Sequence, residues 1–331
     1  MPELSIVIPV YNVEQWLPCC LDSIEAQTFK DWEAILIDDG SIDFSGIMCD
    51  ARAKRDPRFK IIHQKNGGVS AARNAGISAA TGSLLSFIDP DDFISHNYFE
   101  KLIESLHYAN ADIAQGSMRS VEENGSEGRY ILANLIENRA KNRPFTMKDN
   151  TAVVNALCEN LFSCVSWGRV FTRDIWGNAR FPVGIDLGED MMTVPPVIAT
   201  AKAAVYTPKA VYNWRHRKRS LLHGTVTEER LIKDLIASQK MVERLTELHP
   251  NYKECFESLK LQYDIGCVSN YLISKGSRKA KAGTLFTLDR YYKEMGYNED
   301  LLGVQTVQSR VPEFMEAINL AKKNGEENEI S

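Results

Sequence analysis

Four short apolar runs, Leu4 to Val10, Ala34 to Ile37, Phe59 to Ile62 and Leu84 to Ile88, punctuate the N-terminal part of the chain. Runs of this length closed by turn formers predict strands, and the last, ended at Pro90, reads as one buried on both faces. Between the first two, Val13, Trp16, Leu17, Cys20, Leu21 and Ile24 recur at helical spacing, and an alanine-rich stretch from Ser70 to Ala80 ends at Gly82. Asp43 and Ser70 are placed to cap the helices that follow them. Strand and helix alternate four times, which predicts a parallel sheet with helices on both faces. Such open sheets bind ligands at the C-terminal edge of their strands, so the residues that close each run carry the most information.

Two of the runs close on acid. The second ends in Asp38-Asp39-Gly40-Ser41 and the fourth in Asp89-Pro90-Asp91-Asp92. Clustered carboxylates at about 4 to 5 Å repel by roughly 3 to 4 kcal/mol per pair at an effective dielectric near 20, and a divalent cation reverses the sign. Carboxylate oxygens suit hard ions, which complete their shell with phosphates and water. Asp-Gly and Pro-Asp are also ordinary turn chemistry, so a cation clamp and a plain acidic turn both stay open at this point. If both pairs project at one sheet edge, the first suits a base or ribose and the second a charged phosphate group. Tyr11, at the end of the first run, is placed to stack on a base.

A chain of 331 residues suffices for one large or two moderate domains. Its formal charge of -5, with both signs interspersed, argues against a general nucleic-acid binder. Seven cysteines, with Cys19 and Cys20 adjacent and no C-x-x-C spacing, predict free thiols in a reducing compartment rather than a disulfide framework or a zinc site. The first run begins without a basic leader, and no run approaches the roughly 18 apolar residues of a membrane span. The expectation is a cytoplasmic protein, at most peripheral at the inner membrane face.

Taken together, these residues resemble the inverting glycosyltransferases of family 2. The likeness rests on Ser5-Ile-Val-Ile-Pro-Val-Tyr-Asn12, Ile37-Asp-Asp-Gly-Ser41, Asn66-Gly-Gly-Val-Ser-Ala-Ala-Arg-Asn-Ala-Gly76 and Phe87-Ile-Asp-Pro-Asp-Asp-Phe93, four ordered motifs at family-like spacing. The resemblance implies an α/β fold of the GT-A (Rossmann-like) type, a mixed sheet flanked by helices. It implies a nucleotide-sugar donor, most simply a UDP-sugar, in a pocket lined by Pro9, Tyr11, Asp38, Asp39 and Arg73. It further implies that Asp89 and Asp91 form the family's Asp-x-Asp, Asp91 holding Mn²⁺ or Mg²⁺ with Asp89 nearer the ribose and Asp92 behind them.

The segment from Ser163 to Val197 is similar to the acceptor half of these enzymes. Trp167-Gly-Arg-Val-Phe171 matches a stretch that usually reads Trp-Asn-Lys-Leu followed by an aromatic, and Gly168 and Arg169 depart from it. In Gly188-Glu-Asp190 the resemblance makes Asp190 the catalytic base, with Glu189 orienting it or binding acceptor hydroxyls. The chemistry calls for such a group, because a sugar hydroxyl attacks well only when a carboxylate takes its proton, a contribution of typically about 10² to 10⁴ in rate. Val211-Tyr-Asn-Trp-Arg-His-Arg-Lys-Arg-Ser220 resembles a family loop that closes over the donor diphosphate, with Arg215 and Arg217 as forked phosphate contacts. His216 and His223 are candidates for a metal nitrogen, and Lys218 and Arg219 read as solvated charge.

Past Thr225 the motifs stop. Leu231, Leu235, Met241, Leu245 and Leu248 predict one amphipathic helix, Phe256, Leu259 and Tyr263 another after Pro250, and further helices are expected from Thr284 to Met295 and Val311 to Ala321. The expected layout is a nucleotide-sugar-binding half over 1–110, an acceptor-binding half over 111–224 and a C-terminal helical region over 225–331. Packing on the core, a homodimer through these helices, and contact of the basic run Lys275 to Lys281 with anionic lipid are the readings for that region. The expected activity is metal-assisted transfer of a sugar, with inversion, to a glycan or lipid-linked glycan in surface polysaccharide biosynthesis.

Three rivals compete. A haloacid-dehalogenase-like phosphatase also sets Asp-x-Asp after an apolar strand, but leaves Asp38-Asp39 and Gly67-Gly68 unexplained. A nucleotidyltransferase opens on a glycine-rich loop, which Pro9-Val-Tyr-Asn12 is not. A non-catalytic sugar-nucleotide-binding protein predicts binding without turnover.

Overall fold

The first apolar run becomes strand β1 (Leu4–Val10), which pairs in parallel with β2 (Trp32–Asp38) on one side and β4 (Leu84–Phe87) on the other. Every residue of these three strands is buried, as unbroken apolar runs in the middle of a parallel sheet require. The computed structural model describes residues 1–123, 143–185, 187–217 and 227–274. Outside β2 lies β3 (Phe59–His63), also parallel. Beyond β4 the sheet turns mixed: β8 (Arg169–Thr172) runs antiparallel to both β4 and β6 (Ile113–Val121), and β6 is parallel to β9 (Ala204–Arg215). Two short strands, β5 (Phe93–Ile94) and β7 (Phe145–Met147), pair antiparallel with β9. The path across the sheet is β3-β2-β1-β4-β8-β6-β9-β5. The expected mixed sheet flanked by helices is therefore present.

Register fixes the site. Val10 is paired with Asp38 and Asp38 with His63, so the ends of β1, β2 and β3 lie side by side. The connecting helices are α1 (Leu17–Glu25), α2 (Ser45–Arg55) and α3 (Val69–Ala79), followed by α4 (Tyr98–Ala109), α5 (Asn150–Cys158) and α6 (Glu189–Ala199). Leu17, Cys20, Leu21 and Ile24 bury the face of α1 that the periodicity marked. The helix starts later than that pattern implied, because Val13 to Trp16 form a separate turn and Pro18 stands in the first helical turn. Asp43 stands one residue before the N-cap, which is Phe44, and braces the helix start instead, its Oδ1 accepting the N–H of Ser45 at 2.9 Å. Ser70 does not cap either, since the N-cap of α3 is Gly68 at φ 85°, a left-handed conformation that costs glycine little.

Helix α3 lies close on the sheet because residue 76 has no side chain. A Cβ there would stand 2.3 Å from Val7 Cγ1 and 2.9 Å from Ile37 Cδ1, side chains that are themselves buried in the sheet. Gly76→Ala is expected to cost about 1 to 2 kcal/mol, an overpacking penalty of roughly 1 to 3 reduced by alanine's better helix propensity. A urea midpoint unchanged from wild type would remove this packing argument.

The chain divides into two units, Met1–Leu222 and His223–Ser331. In the second, α7 (Glu228–Leu248) starts at Thr227, whose Oγ1 accepts the N–H of Arg230 at 3.1 Å, and α8 (Lys253–Ser274) follows a short turn opened by Pro250. These two helices pack on each other, with Leu231, Leu235, Met241, Leu245, Phe256 and Leu259 buried as their spacing predicted. Buried Asp264 accepts from Lys260 Nζ at 2.6 Å and from Ser238 Oγ at 2.5 Å. The helices expected after residue 283, the basic run Lys275 to Lys281, Lys218, Arg219 and His223 lie outside the described residues. No described helix is long and apolar enough to cross a membrane. The expectation of free thiols holds at Cys19, Cys20, Cys49, Cys164 and Cys267, and fails at Cys158 and Cys255, each of which is disulfide-bonded.

Candidate active site

At the end of β2 the two aspartates do different work. Asp38 Oδ1 accepts the N–H of Ser41 at 3.0 Å and Oδ2 faces His63 Nδ1 at 2.8 Å, while His63 Nε2 lies 3.2 Å from Asp50 Oδ1. Burial works to raise the Asp38 pKa, but hydrogen bonds from Ser41 and His63 outweigh it and the carboxyl titrates below its ordinary range. Asp39 grips the loop before α3: Oδ1 accepts from Gln64 Nε2 at 2.7 Å and Gly67 N at 2.9 Å, and Oδ2 from Gly68 N at 2.8 Å. Its charge also sits at the positive end of α3. Pro9 is buried in β1, whereas Tyr11 is 48% exposed at the sheet edge.

The acidic turn after β4 is buckled to the end of β9. Tyr212 Oη donates to Asp92 Oδ2 at 2.8 Å and accepts from Asp89 N at 3.1 Å, and its ring stacks on Trp167 at 4.6 Å. Arg215 N donates to Asp92 Oδ1 at 2.8 Å. Asp92 is thus fully used within the protein, and burial with repulsion from Asp91 and Asp89 pushes its carboxyl well up. The Arg215 guanidinium bonds the carbonyl of Asp91 at 2.9 Å and that of Glu123 at 3.1 Å, and lies over the Phe93 ring. Of the two arginines expected at a diphosphate, Arg215 is spent on main-chain carbonyls, and Arg217 is the one that faces an acid. Arg217 Nε stands 2.5 Å from Asp91 Oδ2.

The centre of the constellation is Arg73, which is 4% exposed. Its Nη1 donates to Glu189 Oε1 and to Asp190 Oδ1, each at 2.9 Å, and its Nη2 to Asp89 Oδ1 at 3.1 Å. The ring of Phe181 lies 5.2 Å from its guanidinium carbon, and Asn74 fixes Phe181 by bonds to both its carbonyl and its N–H, at 2.8 and 2.9 Å. Burial disfavours the guanidinium charge, but Asp190, Asp89 and Glu189 together outweigh it and hold the arginine cationic. One cation among three carboxylates leaves an excess of negative charge. Glu189 and Asp190 open α6, where the helix dipole favours acids. Even so, burial raises Asp190 to about 7, Arg73 opposing and Glu189 and Asp89 assisting.

Asp190 has a second anchor that sequence reasoning missed: its Oδ2 accepts from Ser166 N at 3.1 Å and Ser166 Oγ at 3.4 Å. The loop carrying Ser166 is held in turn by Arg169, a position where the family pattern is broken. Fully buried, Arg169 donates from Nε to Gln115 Oε1 at 2.7 Å, from Nη2 to Ser163 O at 2.7 Å, and from Nη1 to Val165 O. The departure thus has a structural use, a buried fork tying down main-chain carbonyls.

No group of three or more His, Cys, Asp or Glu converges as a metal cage among the described residues. His216 packs its ring on Trp214 at 4.3 Å and joins no such group. What remains is a pair of carboxylates, Asp89 and Asp91, the second pushed up by burial and by repulsion from the first. Such an all-oxygen pair fits a hard divalent ion that takes its other ligands from phosphate and water.

Comparison with known proteins bears on this arrangement. The model of glycosyl transferase family 2 matches residues 5–176. Glycosyltransferase GlyA of Streptococcus pneumoniae is 35% identical over 251 residues, covering 74% of this chain and 34% of GlyA, so the chain spans about a third of that relative. Among solved structures, S. aureus TarS 1-349 in complex with UDP-GlcNAc superposes with a TM-score of 0.62 at 14% identity, over 98% of this chain and 92% of that one. The mannosyltransferase PcManGT from Pyrobaculum calidifontis, in complex with GDP-Man and Mn²⁺, gives 0.53 at 15% identity over 97% and 86%.

Proposed function

We propose, from the premise that this chain belongs to glycosyltransferase family 2 and has its GT-A fold, that it moves a sugar from a nucleotide diphosphate donor to a glycan hydroxyl with inversion. The observation that carries this reading is Asp190: a carboxylate buried among charged partners, raised to about 7, at the edge of the sheet where the acidic turn lies. A base matched to neutral pH is what deprotonation of a sugar hydroxyl needs. Asp190 takes the acceptor proton as the acceptor oxygen bonds the anomeric carbon from one face. The bond from that carbon to the phosphate oxygen breaks on the other, and its electron pair leaves with the nucleoside diphosphate. Glu189, sharing Arg73 with Asp190, orients the base and is free at its second oxygen for an acceptor hydroxyl.

Pro9, Tyr11, Asp38 and Asp39 line the base and ribose end of the donor pocket, with Arg73 and Asp89 at its inner boundary. Mn²⁺ or Mg²⁺, held by Asp91 and Asp89 when bound, supplies the charge that the leaving diphosphate requires. A UDP-sugar is the favoured donor, UDP-GlcNAc being the one bound to TarS. The acceptor is a glycan or lipid-linked glycan of surface polysaccharide synthesis, met at the inner membrane face.

A panel of sugar nucleotides, screened for Mn²⁺-stimulated hydrolysis with the anomer of the released sugar read by NMR, tests the reading without an acceptor. The expected result is turnover of one UDP-sugar with inversion, and a panel showing neither binding nor turnover would sink it. Asp91→Asn should cut donor affinity in Mn²⁺ by about tenfold or more, roughly the 1.5 to 3 kcal/mol of a charged contact, while affinity in EDTA stays put. Unchanged metal dependence in this variant would mean that the ion sits elsewhere.

A further inference from the structure

Arg217 makes an ion pair that is geometrically odd. Its buried Nε stands 2.5 Å from Asp91 Oδ2 without meeting hydrogen-bond geometry. Good arginine–carboxylate pairs are forked and linear. Arg215, two residues earlier, shows what a committed arginine looks like here, with donors in line to two main-chain carbonyls. Arg217 instead rests its guanidinium over Trp16, with its carbon 4.7 Å from the ring. Its side chain keeps 23% exposure against 14% for Asp91. The contact is chiefly one of charge, at the carboxylate proposed to hold the cation.

We infer that Arg217 is a stand-in for the metal: it neutralises Asp91 while the site is empty of cation, and is displaced when the ion and the donor diphosphate arrive. Arg217 and a divalent ion compete for Asp91 Oδ2, because two cations cannot approach one oxygen at bonding distance without strong repulsion. Once released, the guanidinium has a fork fitted to a diphosphate. Trp16 offers the planar surface that holds it in waiting, a role hidden in the sequence, where Trp16 reads as one more apolar residue of the first helix. This inference rests on the assignment of the cation to Asp91, and the test separates the two.

Mn²⁺ binding to the full chain without nucleotide, followed by the EPR signal of the free ion, is compared in wild type, Arg217→Met and Asp91→Asn. The expected result is Mn²⁺ affinity about fivefold tighter in Arg217→Met, the scale of one partly exposed ion pair, and lost in Asp91→Asn. UDP affinity at saturating Mn²⁺ should fall about tenfold in Arg217→Met, so that one substitution moves the two ligands in opposite directions. Trp16→Ala, which removes the resting surface and keeps the charge, should tighten Mn²⁺ in the same sense and covers the case in which Arg217→Met fails to fold. If Asp91→Asn abolishes Mn²⁺ binding while Arg217→Met and Trp16→Ala leave it unchanged or weaker, the stand-in is overturned and the metal assignment survives. If Asp91→Asn leaves Mn²⁺ binding intact, the metal assignment itself has failed.

Discussion

Asp190→Asn is expected to lower sugar transfer by about 10² to 10⁴-fold, the usual contribution of a general base, with donor affinity within a few-fold of wild type. The asparagine amide is nearly the same shape, and its oxygen can still accept from Arg73 or Ser166, so the scaffold is preserved and only the proton acceptor is lost. Donor binding is spared because the contacts assigned to the nucleotide come from other elements. A pH profile adds a signature. Asp190 must be ionised to act, and burial, against the pull of Arg73 and with help from Glu189 and Asp89, raises it to about 7. The acid limb of kcat/KM should therefore bend near that value and fall tenfold per unit below it, since this parameter reports the free enzyme. Glu189→Gln removes a repelling charge, so it should move the bend to lower pH. Near wild-type turnover in Asp190→Asn, or a bend that Glu189→Gln moves upward, would take Asp190 out of this role.

How much of this was legible in the chain depends on how local each signal is. Strands β1 to β4 are each announced by a short apolar run, and β1, β2 and β4 are buried on both faces, whereas β3, outermost of the four, buries only Phe59 fully. The acids that close β2 and β4 were equally plain, because strand polarity sends both to one edge. Ser70 was misread as a cap since hydroxyl side chains favour that position on average, while here the backbone of Gly68 already turns the chain. The partners of those acids were less visible. Nothing near Arg73 in sequence says that its charge is shared with Glu189 and Asp190, at sequence separations of 116 and 117 residues. Ser166 is a serine in a loop until Arg169 fixes that loop by its carbonyls. Tyr212 looks like one aromatic among several until its hydroxyl is found between the Asp89 amide and the Asp92 carboxylate. Each of these depends on two distant segments meeting, which only the assembled sheet provides.

The largest effect on stability should come from Arg73→Met. Methionine approximates the length and apolar stem of arginine and can still pack on Phe181, so the change isolates the charge. What remains is Asp89, Glu189 and Asp190 facing one another with side-chain exposures of 26%, 12% and 17% and no cation between them. Removing one member of a buried charge network typically costs about 3 to 5 kcal/mol, because the partners keep their desolvation penalty without compensation. The sign of the pH dependence follows from Asp190. Its folded-state pKa is raised, so between the unfolded value and about 7 the native chain holds a proton that the unfolded chain has released, and stability rises as pH falls through that window. Without Arg73 the folded-state pKa rises further, because the group that lowered it most is gone and only the Ser166 N–H still opposes burial. The deficit of Arg73→Met should therefore be greatest near pH 8 and shrink towards pH 5.5, as Asp190 is protonated. Arg73→Lys should recover only part of the loss, a single ammonium being unable to place separate donors on three carboxylates. Urea midpoints at the two pH values decide the matter: a loss below about 1 kcal/mol at pH 8, the scale of an exposed ion pair, would mean that Arg73 is not what holds these acids together.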